Sequence, residues 1–345
     1  MSKKGVLLVN LGTPDSTSVP DVRKYLREFL MDKRVIDIPA IPRWLLVNLI
    51  IGPFRAPKSA EEYRKLFTDR GSPLKYYTDD LTKLVREVLP ANYVVEYAMR
   101  YQSPSIEHGL NALMKHDVSD IHVIPLFPQY ASATTGSVID KVMEITQKWQ
   151  IIPSIKFTSQ FLEEELFIDT IVERGRAWMA KTDYDHYLFS YHGLPERQIK
   201  KGSVDDYCQL SSCCSKLTSK NRFCYRAQCF ETTRLIAAKL GLKEENYTVC
   251  FQSRLGKDPW IKPYTEEVLK ELAEKGIKKV LAFSPAFVSD CLETTIEVGE
   301  TYQEDFIHAG GEQWDLVDSL NTDPKWVQCL KKMILEGQPS EVIPA

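Results

Sequence analysis

Short apolar runs recur along the chain, and the segments between them carry apolar residues at helical spacing. Apolar runs of about four to eight residues bounded by turn residues are typical of buried parallel strands. Alternation of such strands with helices predicts an α/β fold with doubly wound parallel sheets. The predicted strands span residues 6–10, 94–99, 121–127, 187–191, 248–252 and 280–284.

Two of the intervening helices have clear boundaries. Pro20 suits the first turn of a helix over residues 19–30, in which Val22 and Leu26 share one face. A second helix is predicted over residues 265–275, because Gly276 follows its last turn. Both patterns support the alternation of strands and helices.

Glycine, proline, aromatic and polar residues follow most of the predicted strands. In open α/β sheets, ligands bind outside the carboxyl ends of the strands. The sequence therefore predicts a ligand cleft at that edge, and His192 lies there, directly after a predicted strand. Imidazole, with an unperturbed pKa near about 6.5, suits proton transfer at neutral pH and can also bind iron. Taken alone, a single histidine at a strand end is as often a structural residue.

The chain has 345 residues, which suits two domains of roughly 150 residues each. We expect an N-terminal α/β domain over residues 1–160, a C-terminal α/β domain over 161–320 and a tail over 321–345. A faint repeat favours two similar halves, since Val123 and Pro128 match Val280 and Pro285 in register. The net charge of -3 provides no basic surface field, so nucleic acid is not an expected partner.

The N-terminal apolar run is short and lacks a small-residue cleavage site, so it does not resemble a signal peptide. We therefore expect a cytoplasmic protein, in which thiols stay reduced and disulfides are rare. The eight cysteines then need another explanation. Five of them fall within one short stretch: Cys208, Cys213, Cys214, Cys224 and Cys229.

Four motifs resemble the signatures of the ferrochelatase family, in family order and spacing. They are VNLGTP at residues 9–14, FSYHGLP at 189–195, FQSRLG at 251–256 followed by Pro259 and Trp260, and FVSDCLET at 287–294. The resemblance extends to about Asn321. It implies two Rossmann-like domains with an active-site cleft between them, and an enzyme that inserts Fe²⁺ into protoporphyrin IX to form protohaem while two protons leave. Two other functions stay open, namely a coproporphyrin ferrochelatase and a porphyrin- or haem-binding carrier on the same fold.

The resemblance also implies roles for single residues. His192 would accept pyrrole protons and bind the iron substrate, with Glu293 as its partner across the pocket. Asp290 and Glu297 would lie along a proton or metal path, and helical spacing puts Glu293 and Glu297 on one face. The residues expected in the porphyrin pocket are Leu11, Arg100, Tyr101, Phe127, Tyr130 and Trp260.

Two positions depart from the family pattern. Cys291 stands where some members have a second histidine, which argues against a second histidine in metal delivery. Leu11 stands where the branch that metallates coproporphyrin tends to have a tyrosine, and an apolar residue there favours protoporphyrin IX. The alternative role for Trp260 is packing in the hydrophobic core. The alternative role for Glu293 is that of a favourable charge near a helix start.

The most apolar stretch spans residues 38–54, within a predicted lip over about 38–70. It is too short and too interrupted by proline to span a bilayer. Its tryptophan, its aliphatic residues and the flanking Arg43, Arg55 and Lys58 are typical of a helix at the membrane interface. An ordinary buried helix is the alternative. The membrane interpretation would place the protein peripherally on the inner face of the membrane, and the oligomeric state stays open.

The cysteine-rich insertion over about 203–229 favours a metal centre, because the residues between the cysteines are too polar for a hydrophobic core. A [2Fe–2S] cluster is the preferred interpretation, since it takes four thiolates at short spacings. A zinc site with four cysteines is the alternative. Some bacterial ferrochelatases carry a cluster in an internal segment that this stretch resembles. Four of the five thiols would be the ligands, without a further choice: Cys208, Cys213, Cys214, Cys224 and Cys229.

Overall fold

Within the described residues, eight strands form two parallel sheets of four strands each in the computed structural model of the chain. The structure describes residues 2–256 and 258–336. The chain divides into two compact units. Among the described residues, unit 1 contains residues 2–160 and 327–336, and unit 2 contains Phe161–Trp326. The prediction of an α/β fold with two parallel sheets is confirmed.

Both sheets have the same strand order. The strands of unit 1 are β1 (Lys3–Gly12), β2 (Tyr93–Tyr101), β3 (Val118–Pro125) and β4 (Ser154–Phe157). The strands of unit 2 are β5 (His186–His192), β6 (Tyr247–Gln252), β7 (Lys279–Phe283) and β8 (Gln313–Leu316). The order is β2-β1-β3-β4 in one sheet and β6-β5-β7-β8 in the other, so the first strand of each unit is internal. This equivalence agrees with the faint repeat in the sequence.

Helices connect these strands. In unit 1 they are α1 (Val19–Met31), α2 (Ala40–Leu45), α3 (Gly52–Leu66), α4 (Pro73–Val88), α5 (Ile106–Met114) and α6 (Ser137–Thr146). In unit 2 they are α7 (Glu165–Met179), α8 (Glu196–Lys201), α9 (Tyr225–Leu240), α10 (Thr265–Glu274) and α11 (Tyr302–His308). Three wider π-helices are π1 (Leu46–Ile51), π2 (Ser132–Gly136) and π3 (Leu292–Thr301). Helix α12 (Pro324–Glu336) ends the described chain, so residues 337–345 of the predicted tail lie outside it.

Local sequence explains where the first helix begins and how it packs. The Ser18 side chain accepts a hydrogen bond from the Asp21 backbone N–H, and Pro20 occupies the first turn, where no intrahelical donor is lost. Val22 and Leu26 are buried on the same face. The predicted helix over 19–30 is therefore confirmed. The observed helix extends one residue further, to Met31.

Two buried histidines couple folding to pH. His122 lies on β3, and its Nε2 is 2.8 Å from Thr158 Oγ1. His186 lies on β5, and its Nε2 is 2.9 Å from Thr248 Oγ1. Burial lowers the pKa of each imidazole to about 4, and a nearby lysine adds to the shift in each case. Both rings therefore stay neutral in the folded protein at pH values where the unfolded chain, with a histidine pKa near about 6.5, binds protons.

We expect this contribution to stability to be complete above about pH 6.5 and to be lost as the pH falls toward about 4, by at most about 3 kcal/mol for each histidine. The free energy of unfolding in urea, measured at about pH 7.5 and about pH 5, checks this. His122→Gln keeps a polar partner for Thr158 and should reduce the pH dependence, whereas His116→Gln at an exposed position should not. An undiminished pH dependence in His122→Gln would contradict the assignment.

Candidate active site

His192 is the last residue of β5, and its backbone pairs with Gln252, the last residue of β6. The rest of β5 is buried, and His192 is half-buried. The Gly193 N–H donates to the Gln252 carbonyl at 2.8 Å. A Cβ on Gly193 would lie 2.8 Å from that carbonyl oxygen and 3.0 Å from the Trp260 ring, so glycine is required there. The chain therefore turns directly after His192, at the carboxyl end of the sheet.

The contacts of His192 determine which ring nitrogen carries the proton. Nδ1 lies 2.7 Å from the Gly193 carbonyl oxygen, which can only accept, so Nδ1–H is the donor in the neutral ring. Nε2 then carries the lone pair that can take a proton or bind a metal ion. The Trp260 ring lies 6.3 Å away between centroids, and Tyr225 Oη donates to the His192 carbonyl at 2.9 Å.

Glu293 lies in the first turn of π3, where Cys291 is the N-terminal cap. The Cys291 N–H donates to Thr294 Oγ1 at 2.9 Å, and the Cys291 side chain accepts from the Thr294 backbone in return. Burial raises the pKa of the Cys291 thiol, and the neighbouring Glu293 carboxylate raises it further. Cys291 is therefore a neutral capping residue beside Glu293, and π-helical turns of this kind are frequent at functional sites.

Glu297 lies further along π3, and three donors hold its carboxylate. Gln252 Nε2 and Ser253 Oγ donate to Oε2 at 3.0 and 2.6 Å, and Tyr302 Oη donates to Oε1 at 3.0 Å. Burial raises the pKa of Glu266 on α10, and repulsion from Glu297 raises it further, which indicates that the two carboxyl groups are neighbours. Glu297 therefore has a fixed orientation and a second carboxyl group nearby.

Asp290 has a different partner. Asn321 Nδ2 donates to Asp290 Oδ2 at 2.9 Å, and the Asp290 N–H donates to Asn321 Oδ1 at 2.9 Å. Gln252, in contrast, joins π3 twice, because its Nε2 also donates to the Glu293 carbonyl at 3.0 Å. The structure thus links the Glu293 backbone and the Glu297 carboxylate through one amide, and it pairs the predicted path residue Asp290 with Asn321.

In unit 1, Arg100 and Tyr101 at the end of β2 contact Asp32 and Ser137. Arg100 Nη2 and Tyr101 Oη lie 2.7 and 2.9 Å from Asp32 Oδ2, and Arg100 Nε donates to Ser137 Oγ at 2.7 Å. Tyr101 is fully buried. The pair therefore joins the end of β2 to the residue after α1 and to the start of α6.

The other predicted pocket residues of unit 1 follow strand ends. Leu11, near the end of β1, is half-buried, and its N–H is bound by the Asn10 side chain at 2.9 Å. Phe127 and Tyr130 come after β3 and are also half-buried, and Phe127 packs against the hydrophobic core of the unit. Trp260, in unit 2, has the direct ring contact with His192.

Sequence comparisons identify the family. The ferrochelatase family model matches residues 3–338. A ferrochelatase from Legionella pneumophila is 44% identical over 334 residues, which cover 97% of this chain and 99% of the relative. The chain belongs to the ferrochelatase family. A ferrochelatase from Coxiella burnetii, 45% identical over 337 residues that cover 96% of this chain and 93% of the relative, agrees. The expected activity, that of a metal chelatase in the terminal step of haem biosynthesis, is thereby confirmed.

Solved structures confirm the fold of this ferrochelatase family member. SirB from Bacillus subtilis with Fe³⁺ has a TM-score of 0.53 at 13% identity and covers 97% of this chain and 95% of its own. The sirohydrochlorin chelatase SirB from Bacillus subtilis subspecies spizizenii in complex with cobalt has a TM-score of 0.50 at 14% identity and covers 97% and 98%. At these identities the likeness concerns the chelatase fold alone.

Four cysteines of the ferrochelatase insertion lie near one another. Cys213 Sγ and Cys214 Sγ are 3.8 Å apart. Burial raises the pKa of the Cys208 thiol and the neighbouring Cys213 raises it further, while Cys224 and burial raise the pKa of the Cys214 thiol. The neighbouring Cys214 lowers the pKa of the Cys224 thiol, as does the Ala227 N–H at the start of α9. A lowered pKa increases the share of thiolate, the form that binds metals.

The fifth cysteine has different surroundings. Cys229 lies inside α9, fully buried, and burial raises the pKa of its thiol well above the usual value. Cys208, Cys213 and Cys224, in contrast, border a cavity of about 560 Å³. In residues 2–256 and 258–336, no group of three or more histidine, cysteine, aspartate or glutamate side chains has the arrangement of a site for a metal ion.

The segment predicted to be a lip contains α2, π1 and α3. Ile41 and Phe54 are 75% and 78% exposed, and Arg55 and Lys58 are exposed beside Phe54. The small residue Ala56 on the other side of α3 is buried. The lip therefore presents apolar and basic side chains to solvent. In the part of the chain that the structure describes, no helix has both the length and the apolar character needed to cross a bilayer.

The contacts around Glu297 include residues to which the sequence argument gave no role. Gln252 and Ser253 belong to the FQSRLG motif at a strand end, and this position is the signal that could have identified them. Tyr302, which contacts Glu297 from five residues away, and Asn321, which contacts Asp290, lie outside these motifs and gave no such signal.

Proposed function

We propose that this chain inserts Fe²⁺ into protoporphyrin IX, with His192 and Glu293 as the catalytic residues. The observation that carries the proposal is the Nδ1–H···O=C bond from His192 to Gly193, which leaves the Nε2 lone pair for the substrate. In the balanced reaction, Fe²⁺ replaces two pyrrole N–H protons. The single Nε2 lone pair serves one partner at a time, either a pyrrole proton, which it passes on to water before taking the next, or the iron, while the Glu293 carboxylate supplies an oxygen ligand of opposite charge.

Glu297 and Asp290 complete the proposed route for protons or metal. The three donors hold the Glu297 carboxylate in a fixed orientation, which suits a group that receives a cation or proton from Glu293. Asp290 is held at the start of π3 by Asn321. The route would then follow one side of π3.

The porphyrin pocket is proposed to include Leu11, Phe127, Tyr130 and Trp260. Trp260 is supported by its contact with the His192 ring. Arg100 and Tyr101 would support the pocket wall from behind, since their polar atoms bind Asp32 and Ser137. The remaining pocket residues are half-buried, as expected for side chains that would contact a macrocycle.

Anaerobic Fe²⁺ insertion, followed by porphyrin absorbance, tests the substrate. With Leu11 at the discriminating position, we expect kcat/KM for protoporphyrin IX to exceed that for coproporphyrin by about 10-fold or more, the size of one or two pocket contacts. The opposite preference would make the chain a coproporphyrin ferrochelatase. Tight porphyrin binding without turnover would instead indicate a carrier.

The cysteine insertion is proposed to hold a [2Fe–2S] cluster through Cys208, Cys213, Cys214 and Cys224. Four cysteines at short spacings match the number of ligands of such a cluster, and the close Cys213 and Cys214 Sγ atoms and the lowered pKa of Cys224 support the proposal. Because these side chains are not arranged for a metal ion in the described residues, they would have to reorient to bind the cluster. Cys214 is buried as well, so Cys229 is proposed as the thiol left over because it lies inside α9. When bound, the cluster would cross-link the insertion and could exchange one electron. Zinc is the alternative occupant, and the variants discussed below distinguish the two.

The lip is proposed to contact the inner face of the cytoplasmic membrane, with the protein otherwise in the cytoplasm. Exposed Phe54 between basic residues supports this, because apolar side chains enter the interface and cations bind anionic lipid. We expect Phe54→Ser to weaken binding to anionic lipid vesicles by about 3-fold or more, measured by sedimentation. Met143→Ser, an exposed apolar residue on α6, is the control. Equal binding by the two variants would contradict membrane contact through the lip.

A further inference from the structure

Gln252 is a buried amide at the end of β6, only 1% exposed, directly beside His192 in the sheet. Its Nε2 donates at 3.0 Å both to the Glu293 carbonyl and to Glu297 Oε2. Its Oε1 accepts from Ser190 Oγ at 2.7 Å. The side chain thus has contacts on both sides, with π3 and with β5.

These partners fix the orientation of the amide. A backbone carbonyl and a carboxylate can only accept hydrogen bonds, so the NH₂ group must point toward π3. Both N–H donors are then used, one for the backbone that carries Glu293 and one for Glu297. Neither aspartate nor glutamate could make the same two donations. The requirement at this position is therefore for a double donor.

The backbone of Gln252 holds the other side of the site. Its carbonyl accepts a hydrogen bond from the Gly193 N–H at 2.8 Å. The carbonyl of Gly193 in turn accepts a hydrogen bond from His192 Nδ1. Ser190, which donates to the Gln252 side chain, lies two residues before His192 on β5. Gln252 consequently contacts the chain both before and after the histidine.

The next residue extends this arrangement. Ser253 has a φ of 63°, a left-handed conformation that is uncommon for a serine. In that conformation its Oγ donates to Glu297 Oε2 at 2.6 Å, on the same oxygen that Gln252 contacts. Local strain of this kind persists where the surroundings enforce it, and it clusters at functional sites. Two consecutive residues thus orient one carboxylate.

We infer that Gln252 is a positioning residue for metal insertion, which sets the π3 carboxylates against the His192 imidazole. The inference rests on the proposed roles of His192, Glu293 and Glu297. A buried amide with a purely structural role would affect the amount of folded enzyme. A positioning residue affects how the folded enzyme handles iron.

Gln252→Met keeps the size of the side chain and removes both donors. We expect kcat to fall by about 10-fold or more and KM for Fe²⁺ to rise by about 5-fold, since small displacements of catalytic groups have effects of this order. KM for protoporphyrin IX should change by less than about 2-fold, because the porphyrin wall is untouched. Steady-state anaerobic kinetics with each substrate varied in turn give these values.

A second variant covers the possibility that Gln252→Met folds poorly. Gln252→Glu is isosteric, and its carboxyl group can donate to π3 only when protonated, and then only once. Its deficit in kcat relative to the unmodified enzyme should therefore become smaller as the pH is lowered. Gln313→Glu on the edge strand β8 introduces the same charge elsewhere in unit 2 and should behave as the unmodified protein.

The outcomes separate this inference from the proposed function. Failure of the unmodified protein to insert iron would remove the proposed function itself. Normal insertion by the unmodified protein, with unchanged KM for Fe²⁺ in Gln252→Met and a pH-independent deficit in Gln252→Glu, would show a structural role only and would overturn the inference. A rise in KM for Fe²⁺ in well-folded protein, checked by circular dichroism, supports it.

Discussion

His192→Ala should lower kcat for Fe²⁺ insertion by roughly 10²–10⁴-fold, the range for loss of a general base, because it removes the imidazole that would take the pyrrole protons. Porphyrin affinity should change little, since the apolar surfaces remain. The observed geometry makes the prediction specific to the imidazole, because Nδ1 is bound to Gly193 and Nε2 alone is left for chemistry. Single-turnover insertion measures the rate, and quenching of porphyrin fluorescence measures binding.

His308→Ala is the matched control, because His308 is an exposed histidine on α11 of the same unit. It should keep the full rate. Glu293→Gln should also lower the rate of Fe²⁺ insertion. If both residues act on one step, the rate of the double variant should fall by less than the product of the two single fold-reductions. Retention of most of the turnover in His192→Ala would make the central assignment wrong.

The strands that hold the site could be predicted because they are buried on both faces. The run over residues 187–191 corresponds to β5, whose six residues before His192 are all buried. Two of the four edge strands, β4 and β8, were missed, and their sequences explain why. SIKF and QWDL are short and largely unburied, so they lack the apolar run that marks an internal strand.

The π-helical form of π3 was not predictable from periodicity. Residues 293 and 297 share a face in an α-helix, and the sequence argument needed no wider turn. The structure has ten residues of π-helix instead, from Leu292 to Thr301. The Gln252 and Ser253 contacts with π3 join segments about 40 residues apart, a type of information that local patterns do not contain. The sequence therefore predicted the candidate catalytic residue at the strand end, but not the residues that hydrogen-bond to π3.

The cysteine stretch shows the same division. Spacing alone left five thiols as equivalent candidates for four positions. Folding separates them, since Cys229 lies on the buried side of α9, whereas Cys224 precedes the first residue of that helix. A helix N-terminus stabilises a thiolate, and a buried apolar position raises its free energy. The ligand set therefore depends on where one helix begins.

Cys224→Ser should abolish the visible charge-transfer absorption of anaerobically purified protein and reduce bound iron and sulfide to less than about a tenth, because one of four thiolates is lost. Cys229→Ser makes the same chemical change five residues later and should retain colour, iron and sulfide. Absorption spectra with iron, sulfide and zinc analysis check both, and circular dichroism confirms that each variant is folded. Loss of colour in Cys229→Ser but not in Cys224→Ser would refute the ligand set.

A colourless, zinc-containing unmodified protein after iron-replete anaerobic expression would refute the cluster, since zinc thiolate sites have no such absorption. The insertion would then be a structural zinc site.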